Sequence, residues 1–261
     1  MVEKILIIGQ DSQIGSFLKK KLKNFNLYGT TRHKDRVSSK TLFFDLEEPT
    51  FQIDFSRFDA AIICASVTNL QKCNQKIEEC ERINVQNTIK LIDILSSHNC
   101  FSIFLSSNAV FDGKKPFYDI HSKANPESNY GKFKLAVELY IMENINSACV
   151  LRLTKVVNDK SHFIKQWEKD YKEGREIIAF TNHLLSPILE KDVVNAISFL
   201  IQQQSSGLYH LGSKYELSFY DYAKILFANN KKKLSKLKPT KDLKLEGNFV
   251  RHNSLKTNLK S

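Results

Sequence analysis

No stretch of these 261 residues is apolar for long enough to cross a bilayer, which takes roughly 18 residues in an unbroken run. With 42% hydrophobic and 26% charged residues, the composition is that of an ordinary soluble globular protein. The five cysteines, Cys64, Cys73, Cys80, Cys100 and Cys149, are odd in number and never form a CxxC pair, which argues against both a disulfide framework and a zinc site. They read as reduced cytosolic thiols. The seven histidines include no HxxxH or HExxH spacing, so a catalytic metal has no ligand set to occupy. The start, Met1-Val2-Glu3-Lys4-Ile5, runs into a short apolar stretch that ends at Gly9, too short and too poorly flanked for a signal peptide. A cytoplasmic location is therefore expected.

Acidic residues are the scarcer charge, 28 against 39 basic ones, for a net charge of +11. Between Lys231 and Ser261 there are ten Lys or Arg against only Asp242 and Glu246, so eight of those eleven charges sit at this end and the body is nearly neutral. A Lys-rich segment with no aromatic interleaving beyond Phe249 reads as solvated or weakly anion-attracting, and a nucleic-acid partner is not expected. No internal repeat interrupts the chain.

The first two-thirds alternates short β-branched apolar runs with longer amphipathic stretches, the pattern of a parallel sheet covered by helices on both faces. Strands are predicted at Lys4–Ile8, Asn26–Thr30, Thr41–Phe44, Ala60–Cys64, Phe101–Ser106 and Ala148–Leu153, and helices at Ile14–Lys23, Gln75–Ser96 and Asn129–Glu143. Beyond residue 153 the alternation loosens, with helices predicted at His162–Lys172, Lys191–Gln203 and Ser218–Ala228 and extended pieces at Ile177–Phe180 and Leu208–Leu211. The expected architecture is α/β: a Rossmann-type, doubly wound parallel sheet over residues 1–153, then a smaller, mostly helical substrate lobe over 154–261, part of which crosses back to the sheet. A single large domain of this length also stays open.

The first strand runs directly into Gly9-Gln10-Asp11-Ser12-Gln13-Ile14-Gly15 and a helix. A tight strand-to-helix turn turns backbone N–H groups and the positive helix end toward a pyrophosphate. The GxxxxxG pattern has Ser12 where a middle glycine usually stands, small enough to be tolerated. The second strand ends in Gly29-Thr30-Thr31-Arg32-His33-Lys34 and offers no acid for the ribose hydroxyls of NAD. Arg32 suits a 2′-phosphate instead, so NADP is preferred over NAD, against the plainer reading of a solvated basic turn.

Ser106-Ser107-Asn108-Ala109-Val110-Phe111-Asp112-Gly113 follows a buried strand, and Tyr130-Gly131-Lys132-Phe133-Lys134 opens a helix some twenty residues on. Residues four apart share a helix face, so the Lys134 ammonium is expected beside the Tyr130 phenol, lowering its pKa from about 10. Such a phenol can donate a proton to a carbonyl oxygen. Ser107 could hydrogen-bond the same oxygen as hydride arrives at its carbon.

On these residues the chain resembles the extended short-chain dehydrogenase/reductase family (the NAD-dependent epimerase/dehydratase superfamily), and within it the dTDP-4-dehydrorhamnose reductase-like branch. The marks are GQDSQIG, Asp45-Leu46, Cys64-Ala65-Ser66, Asn84-Val85, SSNAVFDG, YGKFKLAVE, Val150-Leu151-Arg152-Leu153, Ser186-Pro187-Ile188, Gly207-Leu208-Tyr209-His210-Leu211 and Arg251-His252-Asn253-Ser254-Leu255. The resemblance implies that Gly9, Ser12, Gln13, Ile14, Gly15, Arg32, Asp45, Leu46, Ala65, Ser66, Tyr130 and Lys134 touch the cofactor. Ser107, Tyr130 and Lys134 would carry catalysis, with Asn108, Arg152 and Arg251 facing a nucleotide-sugar substrate; a homodimer is left open.

The branch usually has Asp-Tyr where this chain has Asn108-Ala109. A neutral pair there cannot do the acid/base work of the related dehydratases. Reduction of a nucleotide-activated keto-deoxysugar by NADPH, feeding polysaccharide synthesis, is the leading expectation. A nucleotide-sugar epimerase and a cofactor-binding regulatory subunit are the alternatives.

Overall fold

The computed structural model describes residues 3–159, 161–242 and 251–259. Met1, Val2 and, in the Lys-rich end, Lys244, Glu246, Phe249, Lys260 and Ser261 lie outside the described residues.

The strands are β1 Lys4–Ile8, β2 Asn26–Thr31, β3 Thr41–Phe43, β4 Ala60–Ile63, β5 Phe101–Ser107, β6 Ala148–Leu153, β7 Lys155–Val157, β8 Ile177–Phe180, β9 Leu184–Leu185, β10 Pro187–Leu189, β11 Gly207–Leu211, β12 Leu217–Ser218 and β13 Leu237–Thr240. The helices are α1 Gln13–Lys21, α2 Leu70–Gln75, α3 Ile77–Glu81, α4 Thr88–Ser97, α5 Asn129–Asn144, α6 His162–Lys172, α7 Glu190–Gln203, α8 Phe219–Leu226 and α9 Lys231–Lys236. No described helix is long and apolar enough to cross a membrane.

Seven strands form one parallel sheet in the order β11-β6-β5-β4-β1-β2-β3. Alternation along β1 sends Ile5 and Ile7 to one face, with Phe17 and Leu18 of α1 and Ile197 and Leu200 of α7. Leu6 and Ile8 go to the other face, with Leu91 and Ile92 of α4 and Val137 and Ile141 of α5. The strand order reverses between β1 and β4, and a doubly wound sheet leaves a crevice at the carboxyl ends of its strands there.

Residues after 153 do two things. Helix α7 and strand β11 return to the sheet, whereas α6, β8, α8 and β13 bury a separate core of Ile164, Trp167, Ile177, Ala179, Ala223, Phe227 and Leu237. The segment 251–259 leads from His183, which pairs with Arg251, to the edge strand β11; Leu255 pairs with Tyr118, and the His210 N–H donates to Asn258 Oδ1 at 2.7 Å. The Lys-rich end is partly neutralised within the fold: Lys233 Nζ lies 2.6 Å from Glu168 Oε1, and Lys238 lies 3.8 Å from Glu176.

The predicted Gln75–Ser96 helix is three pieces. It breaks at Lys76, which carries φ −126° and ψ 62°, and has a π-helical turn over Arg82–Asn87. That turn aims Asn84 and Asn87 at other loops: Asn84 takes the backbone N–H and C=O of Val67 at 2.8 and 2.9 Å, and Asn87 donates to the Leu46 carbonyl at 2.9 Å.

Candidate active site

Gly9 begins the turn after β1 with φ 83°, and a Cβ there would lie 2.8 Å from the backbone nitrogen of Ala65. A side chain is thus excluded by conformation and by space. The Ser12 hydroxyl is spent on capping α1, accepting from the Gly15 N–H at 3.0 Å. Ser12, Gln13 and Ile14 line a cleft of about 1200 Å³, together with Ser66 beyond β4. The N-terminus of α1 therefore opens onto the cleft, the arrangement that receives a pyrophosphate.

Gly9, Gly15, Ala65, Asp45, Leu46 and Arg32 are not on the wall of this cleft. Asp45 closes its own loop by accepting from the Glu47 N–H at 3.0 Å, Leu46 is buried, and Arg32 stands exposed past the end of β2. A basic side chain does meet the first turn: Arg36 lies 3.4 Å from the Asp11 carboxylate, which also accepts from the Thr31 hydroxyl.

At the other end of the cleft, Ser128 caps α5 by accepting from the Gly131 N–H at 3.1 Å. A Cβ at position 131 would run into the carbonyl oxygen of Ala109, so the absence of one lets α5 close onto the turn that carries Ser107. Ser107, Asn108, Tyr130 and Lys134 all line the cleft. Lys134 is buried, donates to the Leu105 carbonyl at 2.9 Å, and places its ammonium 5.7 Å from the centroid of the Tyr130 ring.

Burial pushes Lys134 down to about 8, against the opposite pull of Glu138 and then Cys64. Burial, reinforced by Cys73, pushes the Tyr130 phenol up. This corrects the expectation of a phenol made acidic by its neighbour. Among the protein's own groups desolvation prevails, and Tyr130 is held protonated, as a donor must be.

Beneath Lys134 lies a second layer of charge. Glu138, one turn further along α5, accepts from Arg152 Nε at 3.0 Å, from Arg152 Nη2 at 2.6 Å, and from the Ser106 hydroxyl. Arg152 stacks 5.0 Å from the Phe111 ring centroid, and its Nη1 lies 3.2 Å from His210 Nε2. A guanidinium can only donate, so that ring is neutral with its proton on Nδ1. Burial, then the Arg152 charge, pushes His210 down to about 4. Arg152, expected to face substrate, is buried against Glu138 and is not among the residues that line the cleft.

Arg251 does line the cleft, 3.5 Å from Glu127. Among the lining residues for which the sequence gives no site role are Thr154, Lys155, His183, His252 and Asn253. The segment Arg251-His252-Asn253 stands in the sequence as a motif, but nothing in its periodicity says that it folds back to the cleft. Burial lowers the Lys155 pKa. Thr154 Oγ1 is buried without a hydrogen-bond partner among the described residues, a cost of about 1–3 kcal/mol that a bound polar group would relieve. The glycine turn, the open helix end and this orphaned hydroxyl together fit a dinucleotide. Among the described residues no cluster of His, Cys, Asp and Glu could hold a metal ion.

The model of the RmlD substrate binding domain family matches residues 3–250. The chain is 24% identical over 237 residues to the dTDP-4-dehydrorhamnose reductase of Escherichia coli, covering 87% of this chain and 78% of that protein. It is 28% identical over 160 residues to methionine adenosyltransferase 2 subunit beta of Xenopus laevis, covering 59% of this chain and about half, 47%, of that protein. A crystal structure of dTDP-4-dehydrorhamnose reductase from Bacillus anthracis in complex with NADP superposes with a TM-score of 0.82 at 20% identity, covering 99% of this chain and 90% of that one, a likeness of fold.

Proposed function

The chain belongs to the RmlD substrate-binding domain family, and from that premise we propose that it is an NADP(H)-dependent reductase of a nucleotide-activated keto-deoxysugar, similar to dTDP-4-dehydrorhamnose reductase. The observation that carries the reading is the convergence of Ser107, Tyr130 and Lys134 on the cleft that the first βα turn also lines. NADP(H) is the preferred cofactor, supported by Arg36 and Arg32 near the end of β2, with NAD(H) as the alternate.

The cofactor, when bound, supplies hydride to the carbonyl carbon of the sugar. Everything else falls to this chain's side chains. The Tyr130 phenol gives its proton to the carbonyl oxygen, and Lys134 stabilises the phenolate left behind. With its pKa lowered to about 8, Lys134 remains mostly cationic at neutral pH. Ser107 hydrogen-bonds the same oxygen. Glu138 helps keep Lys134 charged, and Arg152 pairs with the buried Glu138. Arg251, His183 and Lys155 supply positive or hydrogen-bonding groups for a substrate diphosphate.

The test has two parts. A thermal-shift screen of NADPH, NADH and dTDP-, UDP- and GDP-sugars should show stabilisation by NADPH and by one nucleotide class. Adding a 4-keto-6-deoxy sugar nucleotide of that class should then consume NADPH mole for mole. Interconversion of sugar nucleotides with nicotinamide retained through dialysis would establish the epimerase instead. The likeness to an adenosyltransferase subunit and the neutral Asn108-Ala109 favour one further reading, a regulatory subunit. Stoichiometric capture of an enzyme partner with no turnover of any sugar nucleotide would establish it.

A further inference from the structure

Ser107 is followed by Asn108, whose amide is oriented from across the cleft. The Leu184 carbonyl can only accept, so it takes Asn253 Nδ2, at 2.7 Å. Asn253 Oδ1 is thereby turned to Asn108 Nδ2, at 3.0 Å, and Asn108 Oδ1 is left facing the Ser107 hydroxyl, at 3.3 Å. One backbone carbonyl thus sets the polarity of the whole row. An ionised aspartate at position 108 would face Asn253 Oδ1 acceptor to acceptor, so the neutral Asn108 is matched to Asn253.

Glu216, just before β12, anchors the same segment from behind. Its Oε1 accepts from the Asn253 N–H at 2.7 Å, and its Oε2 lies 2.7 Å from His252 Nδ1. The Glu216 side chain is 6% exposed. A carboxylate so far removed from water is costly unless its hydrogen bonds are made, and here they hold two adjacent residues of the cleft wall. With Nδ1 turned to Glu216, Nε2 is the ring nitrogen of His252 left to meet a ligand.

We infer that Glu216 is a positioning residue for the catalytic hydroxyl. It holds Asn253, Asn253 holds Asn108, and Asn108 directs the O–H bond of Ser107 until a substrate oxygen competes for that proton. The reacting corner, built on β5 and α5, is thereby set from the opposite wall. This inference rests on the reductase reading of the same site.

The experiment uses the full chain with NADPH and the keto-sugar nucleotide, and compares E216A, E216Q, N253A and E216A/N253A. For each, kcat, KM, the NADPH Kd by fluorescence titration and Tm are measured. E216A should lower kcat by about 10- to 100-fold, as expected for small misplacements of a reacting group, with the NADPH Kd changed less than about twofold. E216Q keeps an acceptor for the Asn253 N–H and should recover most of that loss. The double variant should be no slower than the slower single one, because both substitutions break one chain of contacts. Additive losses in kcat, or a kcat unchanged in E216A, would overturn the inference. If E216A does not fold, an unchanged kcat in N253A would overturn it as well. A wild-type protein that binds NADPH but transfers no hydride would instead defeat the reductase reading itself.

Discussion

On the floor of the cleft, Lys134, Glu138 and Arg152 are 4%, 2% and 5% exposed and are fastened to β5 and β6 by hydrogen bonds and ion pairs. On the rim, the Arg251, His183 and His252 side chains are 34%, 24% and 21% exposed and come from segments outside the seven-stranded sheet. The floor fuses two tasks, since the side chains that set the charge state of Lys134 also fill the interior. The rim separates them, since its charges meet the cleft without holding up the core. Substitutions on the floor should therefore cost stability first, and those on the rim affinity first.

The largest effect should come from R152A, which leaves Glu138 buried and unpaired. Breaking a buried ion pair from one side costs about 3–5 kcal/mol, readable by urea denaturation. A variant that kept its stability and instead raised KM would return Arg152 to the substrate and break the comparison.

Next is the acid response of the floor. His210 is held down to about 4, whereas in the unfolded chain it titrates near 6.5. Across that window the unfolded state binds more protons, so stability rises with pH and is lost on acidification, by about 3 kcal/mol overall. H210Q should flatten this limb in denaturation curves taken across the window. A limb unchanged in H210Q would place the acid sensitivity elsewhere.

The basic limb belongs to activity. Because Lys134 sits near 8, kcat/KM for reduction should be level below that pH and fall as Lys134 loses its charge above it. A profile level well beyond pH 8 would mean that the ammonium is not required. The smallest effect should be R251A on the rim: KM up by about 5- to 10-fold, with kcat and Tm nearly unchanged. A drop in Tm there would show that the rim also carries the fold.

Much of the floor could be read from the chain. Strands β1 and β6 begin and end where their apolar runs do, and the spacing of Tyr130 and Lys134 on α5 holds in the fold. The direction of Arg152 could not be read, because a strand motif gives residue type but not which acid waits on the neighbouring helix. The sequence offers Glu138 and Arg152 only as separate marks. The π-helical turn over Arg82–Asn87 was hidden for a similar reason: periodicity continues through it, and the partners of Asn84 and Asn87, Val67 and Leu46, are distant in sequence. The rim was the least legible part. Strand β13 forms only because Leu237–Thr240 meets Ile177–Phe180, and Asn253 meets Asn108 across 145 residues of sequence.

The central claim is that Tyr130 is the proton donor of a hydride-transfer site, and Y130F tests it most directly. NADPH binding by fluorescence titration should be unchanged within about twofold, while single-turnover hydride transfer to the keto-sugar nucleotide should fall by about 10²–10⁴-fold. A Y130F protein that transfers hydride at close to the wild-type rate would contradict the account.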